Sequence, residues 1–162
     1  MKTKKPAKRA PRDPVRRGDE SPATRRHWLV KQEPSDYAWD RFVREGHTAW
    51  TGVRSFPARL HLRAMAVGDL VAWYHSGETR EVVGVGRVAR AAYPDPTATE
   101  GDWSCVDLVP VEPLRRSVTL AEIKSDPILR EMPLVRQSRL SVMPVTGAQF
   151  ERLLELSGGG KA

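Results

Sequence analysis

The stretch Val67-Gly-Asp-Leu-Val-Ala-Trp-Tyr-His-Ser-Gly-Glu-Thr-Arg-Glu-Val-Val-Gly-Val-Gly-Arg-Val-Ala-Arg-Ala-Ala-Tyr-Pro-Asp-Pro96 decides the fold. Residues 70–76 are apolar and aromatic until His75, which is typical of a central strand covered on both faces. Residues 81–92 predict a second strand, paired to the first through the short loop at residues 77–80. The polar and aromatic end of the first strand is therefore expected at the surface, where scaffolds display binding groups.

The rest of the chain predicts short helices and strands around this hairpin. Before it we expect a strand, a helix, a short strand and a helix, at residues 27–33, 37–45, 47–51 and 56–65. After it we expect a loop at 93–102, a strand at 103–111, a helix from 119, a turn at 127–131, a strand at 140–145 and a helix at 148–156. This order indicates one α+β domain over residues 27–157, built on a curved or closed sheet.

Local signals set several helix ends and faces. Ser35 or Asp36 is expected to cap the first helix, and Leu60 is expected on the buried face of the second. The pairs Thr119 with Glu122 and Thr146 with Gln149 have the spacing of capping boxes.

The net charge of +7 comes from one end of the chain. Residues 1–26 hold ten of the 27 Lys and Arg and three of the 20 Asp and Glu, so the remainder is balanced. This segment is too poor in large apolar residues to form a core, so we expect a disordered basic arm that contacts a polyanion, acts as a nuclear-localisation-like signal or only aids solubility. Residues 158–162 are expected to be a flexible end.

Composition narrows the class of protein. The single cysteine, Cys105, lies in an apolar strand and is expected to be a buried small hydrophobe rather than a nucleophile. Gly84-Val85-Gly86 lacks the third glycine and the following helix of a dinucleotide site, so the glycines are expected to relieve crowding. We expect no cofactor, no metal and no membrane partner, and a cytoplasmic location, with the nucleoid or, in a eukaryote, the nucleus as alternatives.

The five tryptophans divide into two groups. Trp28, Trp39 and Trp73 are expected in the core, whereas Trp50 and Trp103 lie beside turns and charged residues. Flat aromatics near basic groups are what a base-stacking pocket requires. Several arginines could follow a phosphate backbone or simply form a solvated face: Arg54, Arg59, Arg63, Arg136 and Arg139.

Six motifs occur together in the order and spacing of one family. They are Trp28-Leu-Val-Lys-Gln-Glu-Pro34, Trp50-Thr-Gly-Val-Arg-Ser-Phe-Pro-Ala-Arg59, Leu62-Arg-Ala-Met-Ala-Val-Gly-Asp69, Tyr74-His-Ser76, Tyr93-Pro-Asp-Pro96 and Arg139-Leu-Ser-Val-Met-Pro144. Over residues 26–156 the chain resembles the EVE domain family, close to its thymocyte nuclear protein group and bacterial relatives. Ser55 occupies a position at which asparagine is common in this family.

The resemblance implies a PUA-like β-barrel with peripheral helices that binds DNA or RNA carrying modified bases, modified cytosine in DNA above all. In the related YTH domains an aromatic cage holds the base, and Trp50 corresponds by its order in the chain to one wall of that cage.

Residues and resemblance together predict a reader module. A flipped base would enter a slot between Trp50 and either Tyr74 or Trp103. The base edge would be read by Lys31, His75, Ser76, Ser141 and the backbone of Gly52 and Val53, while Arg54 and Arg139 would hold phosphates. Two alternatives stay open: a hydrolase of modified nucleosides using Lys31 and Glu33, and a protein-interaction module using the loop at residues 93–102.

Overall fold

The computed structural model describes residues 25–158. Its strands are β1 (His27–Gln32), β2 (Thr48–Ala49), β3 (Leu70–His75), β4 (Glu81–Pro94), β5 (Ser104–Thr119) and β6 (Val142–Val145). Its α-helices are α1 (Trp39–Glu45), α2 (Phe56–Ala64), α3 (Leu120–Ser125), α4 (Pro133–Arg136) and α5 (Gly147–Leu156), and a 3₁₀ turn spans Leu129–Glu131. The predicted α+β class is confirmed.

The six strands form one mixed sheet in the order β2-β5-β4-β3-β1-β6. β1 and β3 pair in parallel, and the other neighbours pair antiparallel. β3 therefore lies inside the sheet, as its unbroken apolar pattern predicted, and β4 forms the expected hairpin with it.

Helices cover both faces of this sheet. The ring of Trp28 in β1 lies 6.2 Å from that of His61 in α2, while the ring of its neighbour His27 lies 4.6 Å from that of Phe150 in α5. Because consecutive strand residues point to opposite faces, α2 and α5 lie on opposite sides. Trp28 and Trp73 are buried, as predicted.

The two glycines of β4 have close neighbours. A Cβ atom on Gly84 would lie 2.5 Å from the ring of Trp39 in α1, and one on Gly86 would lie 3.1 Å from the carbonyl oxygen of Val109 in β5. These glycines therefore relieve crowding, which is the predicted alternative to a dinucleotide site.

Two helix predictions need correction. The N-cap of α1 is Ala38, which supplies no side-chain hydrogen bond, so neither Ser35 nor Asp36 caps this helix. In α2 the buried residues include Ala58 and Leu62, whereas Leu60 is 62% exposed. α2 carries more than one possible apolar stripe, and its arginines bind the chain around the start of β5: Arg59 donates to the Asp102 carbonyl and Arg63 to the Ser104 hydroxyl.

β5 runs to Thr119, beyond the predicted end at residue 111. Pro110 and Pro113 favoured a strand end, but the pairing of β4 with β5 shifts register beside both prolines, which accommodates their missing N–H groups. The two predicted capping boxes, at Thr119 and Thr146, are confirmed.

No helix within residues 25–158 is long and apolar enough to cross a membrane. The predicted basic arm, apart from its last two residues, and the predicted flexible end beyond Gly158 lie outside the described residues.

Candidate functional site

The segment from Trp50 to Arg54 is held by Asp95, which follows β4. One carboxylate oxygen, Oδ2, accepts hydrogen bonds from the Gly52 backbone N–H at 2.9 Å and from Arg54 Nη1 at 3.0 Å. The other, Oδ1, accepts from the N–H and hydroxyl of Thr97. Two motifs that lie far apart in the sequence are thereby joined.

The electrostatics of Asp95 fit this role. Burial alone would raise the pKa of its carboxyl, but the hydrogen bonds from Thr97, Gly52 and Arg54 outweigh burial and lower the pKa to about 2. Asp95 is therefore a buried anion at neutral pH, and the backbone of Gly52 and the Arg54 guanidinium are already engaged by it. Sequence reasoning quoted Asp95 within a motif and assigned it no role.

The predicted slot between Trp50 and Tyr74 does not form. Trp50 is 5% exposed and packs edge-on against Trp73 with 5.0 Å between ring centroids, while Tyr74 is 2% exposed. Tyr74 follows Trp73 in β3 and so points to the other face of the sheet. The ring of Trp50 therefore contributes to the core and is closed to a stacking ligand.

Trp103 lies apart from Trp50 and has a different aromatic partner. Its half-buried indole stacks on the ring of Phe56, with centroids 5.4 Å apart and planes 11° apart. The guanidinium groups of Arg54 and Arg59 lie 5.8 and 5.2 Å from its centroid. The structure therefore brings Trp103 and Arg54 together and adds Phe56, which the site prediction missed.

His75 has a structural partner. Its Nε2 atom accepts a hydrogen bond from the backbone N–H of Trp39 at 3.1 Å, so it satisfies the first turn of α1. Burial lowers the pKa of His75, which favours the neutral acceptor form. The neighbouring Ser76 donates its backbone N–H to Gln32. His75 thus replaces the predicted cap of α1, and its Nε2 is not open to a base.

Three residues predicted for the site lie close together near the loop before β6: Lys31, Arg139 and Ser141. The backbone N–H of Lys31 donates to the Ser141 carbonyl at 3.0 Å, and Lys31 Nζ donates to the Ser138 carbonyl at 2.7 Å. Burial lowers the pKa of Lys31. Beside Ser138 is a cavity of about 350 Å³ that we name the Arg139 cavity; it is lined by Ser55, Pro57, Gln137, Ser138, Arg139 and Leu140.

The Arg139 cavity has the mixed lining of a small-molecule site. Pro57 and Leu140 supply apolar surface, and the amide of Gln137 can both donate and accept hydrogen bonds. Its volume lies at the small end of the roughly 300 to 1,000 Å³ usual for ligand pockets. Arg139 is the one residue of this lining that was predicted from the sequence to contact a ligand, because the others carry no chemical signature until the chain folds.

The residues named for the two alternative functions make contacts within the domain. Lys31 Nζ binds the Ser138 carbonyl, whereas the Glu33 carboxylate lies against Gly77, so these two do not form the acid and base pair. The loop at residues 93–102 is tied to the rest of the domain by Arg54 and Arg63. The described part of the chain contains no group of three or more His, Cys, Asp and Glu suited to a metal ion.

Cys105 and Val53 are both buried. Cys105 is fully buried, as expected, and burial raises the pKa of its thiol. Val53 is 8% exposed, and its carbonyl accepts a hydrogen bond from Arg54 Nη1 at 2.9 Å.

Comparison with known proteins places this geometry in a family. The chain is similar to the protein Rpa0253 from Rhodopseudomonas palustris, at 46% identity and a TM-score of 0.78, covering 82% of this chain and 93% of that one. It is also similar to a crystal structure of human THYN1 protein in complex with 5-methylcytosine containing DNA, at 30% identity and a TM-score of 0.75, covering 82% and 97%.

Comparison of sequences alone also shows similarity to thymocyte nuclear protein 1. Human thymocyte nuclear protein 1 is 32% identical over 164 residues, which is 80% of this chain and 73% of that protein. An ASCH protein from Zymomonas mobilis, at 12% identity and a TM-score of 0.52, shares the fold alone. The predicted PUA-like fold is confirmed. The model of the EVE domain matches residues 26–156, and the chain belongs to the EVE domain family.

Proposed function

We propose that this chain is a nucleic-acid-binding module that recognises a modified cytosine in DNA and catalyses no reaction. The observation that carries the proposal is the similarity of nearly the whole domain to human THYN1, whose structure contains 5-methylcytosine DNA. Fold similarity alone would not justify a function, but here sequence and fold agree over the same residues.

The modified base enters the Arg139 cavity rather than a slot at Trp50. Pro57 and Leu140 offer apolar contact to the ring and to a methyl group, and Gln137 offers polar groups to the base edge. Extruding a nucleotide from a duplex costs a few kcal/mol, so several such contacts are needed to offset it.

Cationic groups at this cavity supply contacts to the nucleic-acid backbone. Arg139 is exposed and forms no ion pair with any residue that the structure describes, so its guanidinium is available to a phosphate. Lys31 and Ser141 lie beside it and complete the proposed contact set. The residues that line the Arg139 cavity include no carboxylate, histidine or cysteine, so this lining offers no acid and base pair for a hydrolase.

The test is binding to a panel of DNA oligonucleotides that differ at one cytosine, unmodified in one and 5-methylated in another. We expect tighter binding to the modified strand, and we expect Arg139→Ala to weaken it about tenfold. Arg44→Ala removes the same charge from an exposed position on helix α1 and serves as the matched control. Equal affinity for both oligonucleotides, or equal effects of the two variants, would contradict the proposal.

A further inference from the structure

Phe56 is the most exposed large apolar residue of the described chain and is nevertheless held in place. Its side chain begins α2 and is 63% exposed. One face of the ring stacks on Trp103, and the Arg59 guanidinium lies 4.8 Å from its centroid. A ring that is oriented on one side and open on the other is a preorganised stacking surface.

The indole behind Phe56 is supported from the protein side. A Cβ atom on Gly101 would lie 2.6 Å from Trp103 Nε1, so the indole rests on a residue without a side chain. The carbonyl of Asp102 accepts hydrogen bonds from Arg59 and Arg63 at 2.6 and 3.2 Å, which ties this loop to α2. We name Phe56 and Trp103 together the Phe56–Trp103 platform.

Charge around the platform favours a polyanion. Three arginines, Arg54, Arg59 and Arg63, lie at the platform, where they pair with two carboxylates, Asp95 and Asp102. The carboxylate of Asp95 is fully buried beneath Arg54, so its charge is not presented at the surface, where Asp102 and the nearby Glu100 are exposed. Aromatic rings among arginines suit nucleobases and phosphates better than they suit an apolar protein partner.

Position links the platform to the Arg139 cavity. Phe56 lies between Ser55 and Pro57, and both of these residues line that cavity. A strand that places one base in the cavity therefore carries its neighbouring base past Phe56. Aromatic and apolar side chains commonly stack on the neighbours of a displaced base in this way.

We propose that the Phe56–Trp103 platform stacks on the nucleobase next to the modified one, an inference that rests on the proposed function. The platform supplies affinity without choice of base, since every base has a flat face. The Arg139 cavity supplies the preference for the modified base.

The experiment uses the full chain and two fluorescein-labelled DNA duplexes identical except for one 5-methylcytosine. Binding is followed by fluorescence anisotropy at low salt. Phe56→Ala is expected to weaken binding to both duplexes about tenfold, and Phe56→Trp to retain it. Leu60→Ala is the matched control, because Leu60 lies one turn further along α2 and is 62% exposed; its effect is expected to stay within about twofold.

The outcomes separate the two proposals. A Phe56→Ala protein that is folded by circular dichroism and binds within about twofold of the wild type would overturn the platform. An equal loss from Leu60→Ala, or a change in sedimentation mass in either variant, would overturn it in favour of a protein-contact surface. Equal binding of both duplexes by the wild type would overturn the proposed modified-base preference alone, and no binding to either would overturn both.

Discussion

The buried carboxylate of Asp95 forms an ion pair with Arg54, with 3.0 Å between Oδ2 and Nη1. The same oxygen binds the backbone of Gly52, so one side chain holds both the turn after β2 and the guanidinium beside Trp103. The loop after β4 and the segment before α2 therefore behave as one unit.

Asp95→Asn should destabilise the domain by about 2 kcal/mol at pH 7, because the lost anion leaves donors poorly satisfied. Since the folded pKa of Asp95 is lowered to about 2 from its ordinary value of 3.8, its contribution is present above about pH 4 and disappears as the pH falls toward 2. Urea unfolding of both proteins at pH 7 and pH 2 measures this. Asp102→Asn, at a carboxylate 82% exposed, is the control and should change little. Equal effects of the two changes would contradict the prediction.

Trp50→Ala should lower the free energy of unfolding by about 3 to 5 kcal/mol, the usual cost of removing a buried tryptophan. The reason is its edge-on contact with Trp73 in the core. Chemical denaturation measures the change, and Trp50→Phe should recover part of it. A Trp50→Ala protein as stable as the wild type would show that the ring is not a core element and would revive the predicted slot.

The β3–β4 hairpin and two of the helix caps could be predicted because their signals are local. Alternation in β4, the unbroken apolar run of β3 and the two capping boxes each depend on residues a few positions apart. The site was harder to predict, because Trp50 precedes a turn with a glycine and an arginine, which resembles a surface segment. Its burial is decided by Trp73 in another strand.

His75 is a second residue whose role depends on a distant partner and could not be predicted from its neighbours in the sequence. It was selected because a polar side chain ended a core strand, but its partner is a backbone N–H 36 residues away. Phe56 was missed for the opposite reason, since an aromatic residue in an amphipathic helix is ordinarily assigned to the core. Only the folded positions of Trp103 and Arg59 show why it can remain exposed.

His75→Ala should cost about 1 kcal/mol at pH 7.5, because the Trp39 N–H loses its acceptor. Burial lowers the folded pKa of His75 below its ordinary value of 6.5, so the unfolded chain binds the proton more readily. The stabilisation is therefore present above about pH 6.5 and is lost as the pH falls through the folded pKa. His27 and His61 also have lowered pKa values, so the difference between wild type and His75→Ala isolates this residue. An NMR titration of His75 with a midpoint above 6.5 would contradict the assignment.

Gly84→Ala should destabilise the domain by about 1 to 3 kcal/mol, because the added methyl group overlaps the ring of Trp39. Gly147→Ala is the matched control. Its new Cβ would meet only His27, at 4.0 Å, in the first turn of α5, so it should be neutral or stabilising by up to about 1 kcal/mol. Thermal unfolding compares the two. Equal effects of the two alanine substitutions would show that close packing of α1 on β4 is not the reason for glycine at position 84.

Removal of residues 1–24 should weaken DNA binding without changing the preference for the modified base. This segment holds eight Lys and Arg against three acids, whereas residues 27–162 hold seventeen of each, so most of the long-range attraction to phosphate lies in it. Affinities for the modified and unmodified duplexes should fall by the same factor. The remaining domain, with about three phosphate contacts, should show a slope of log affinity against log salt near −3, shallower than that of the full chain. Titrations at several salt concentrations measure both slopes. A preference that disappears with the segment would place base recognition outside the Arg139 cavity, because a charge effect alone cannot distinguish a methylated cytosine from an unmethylated one.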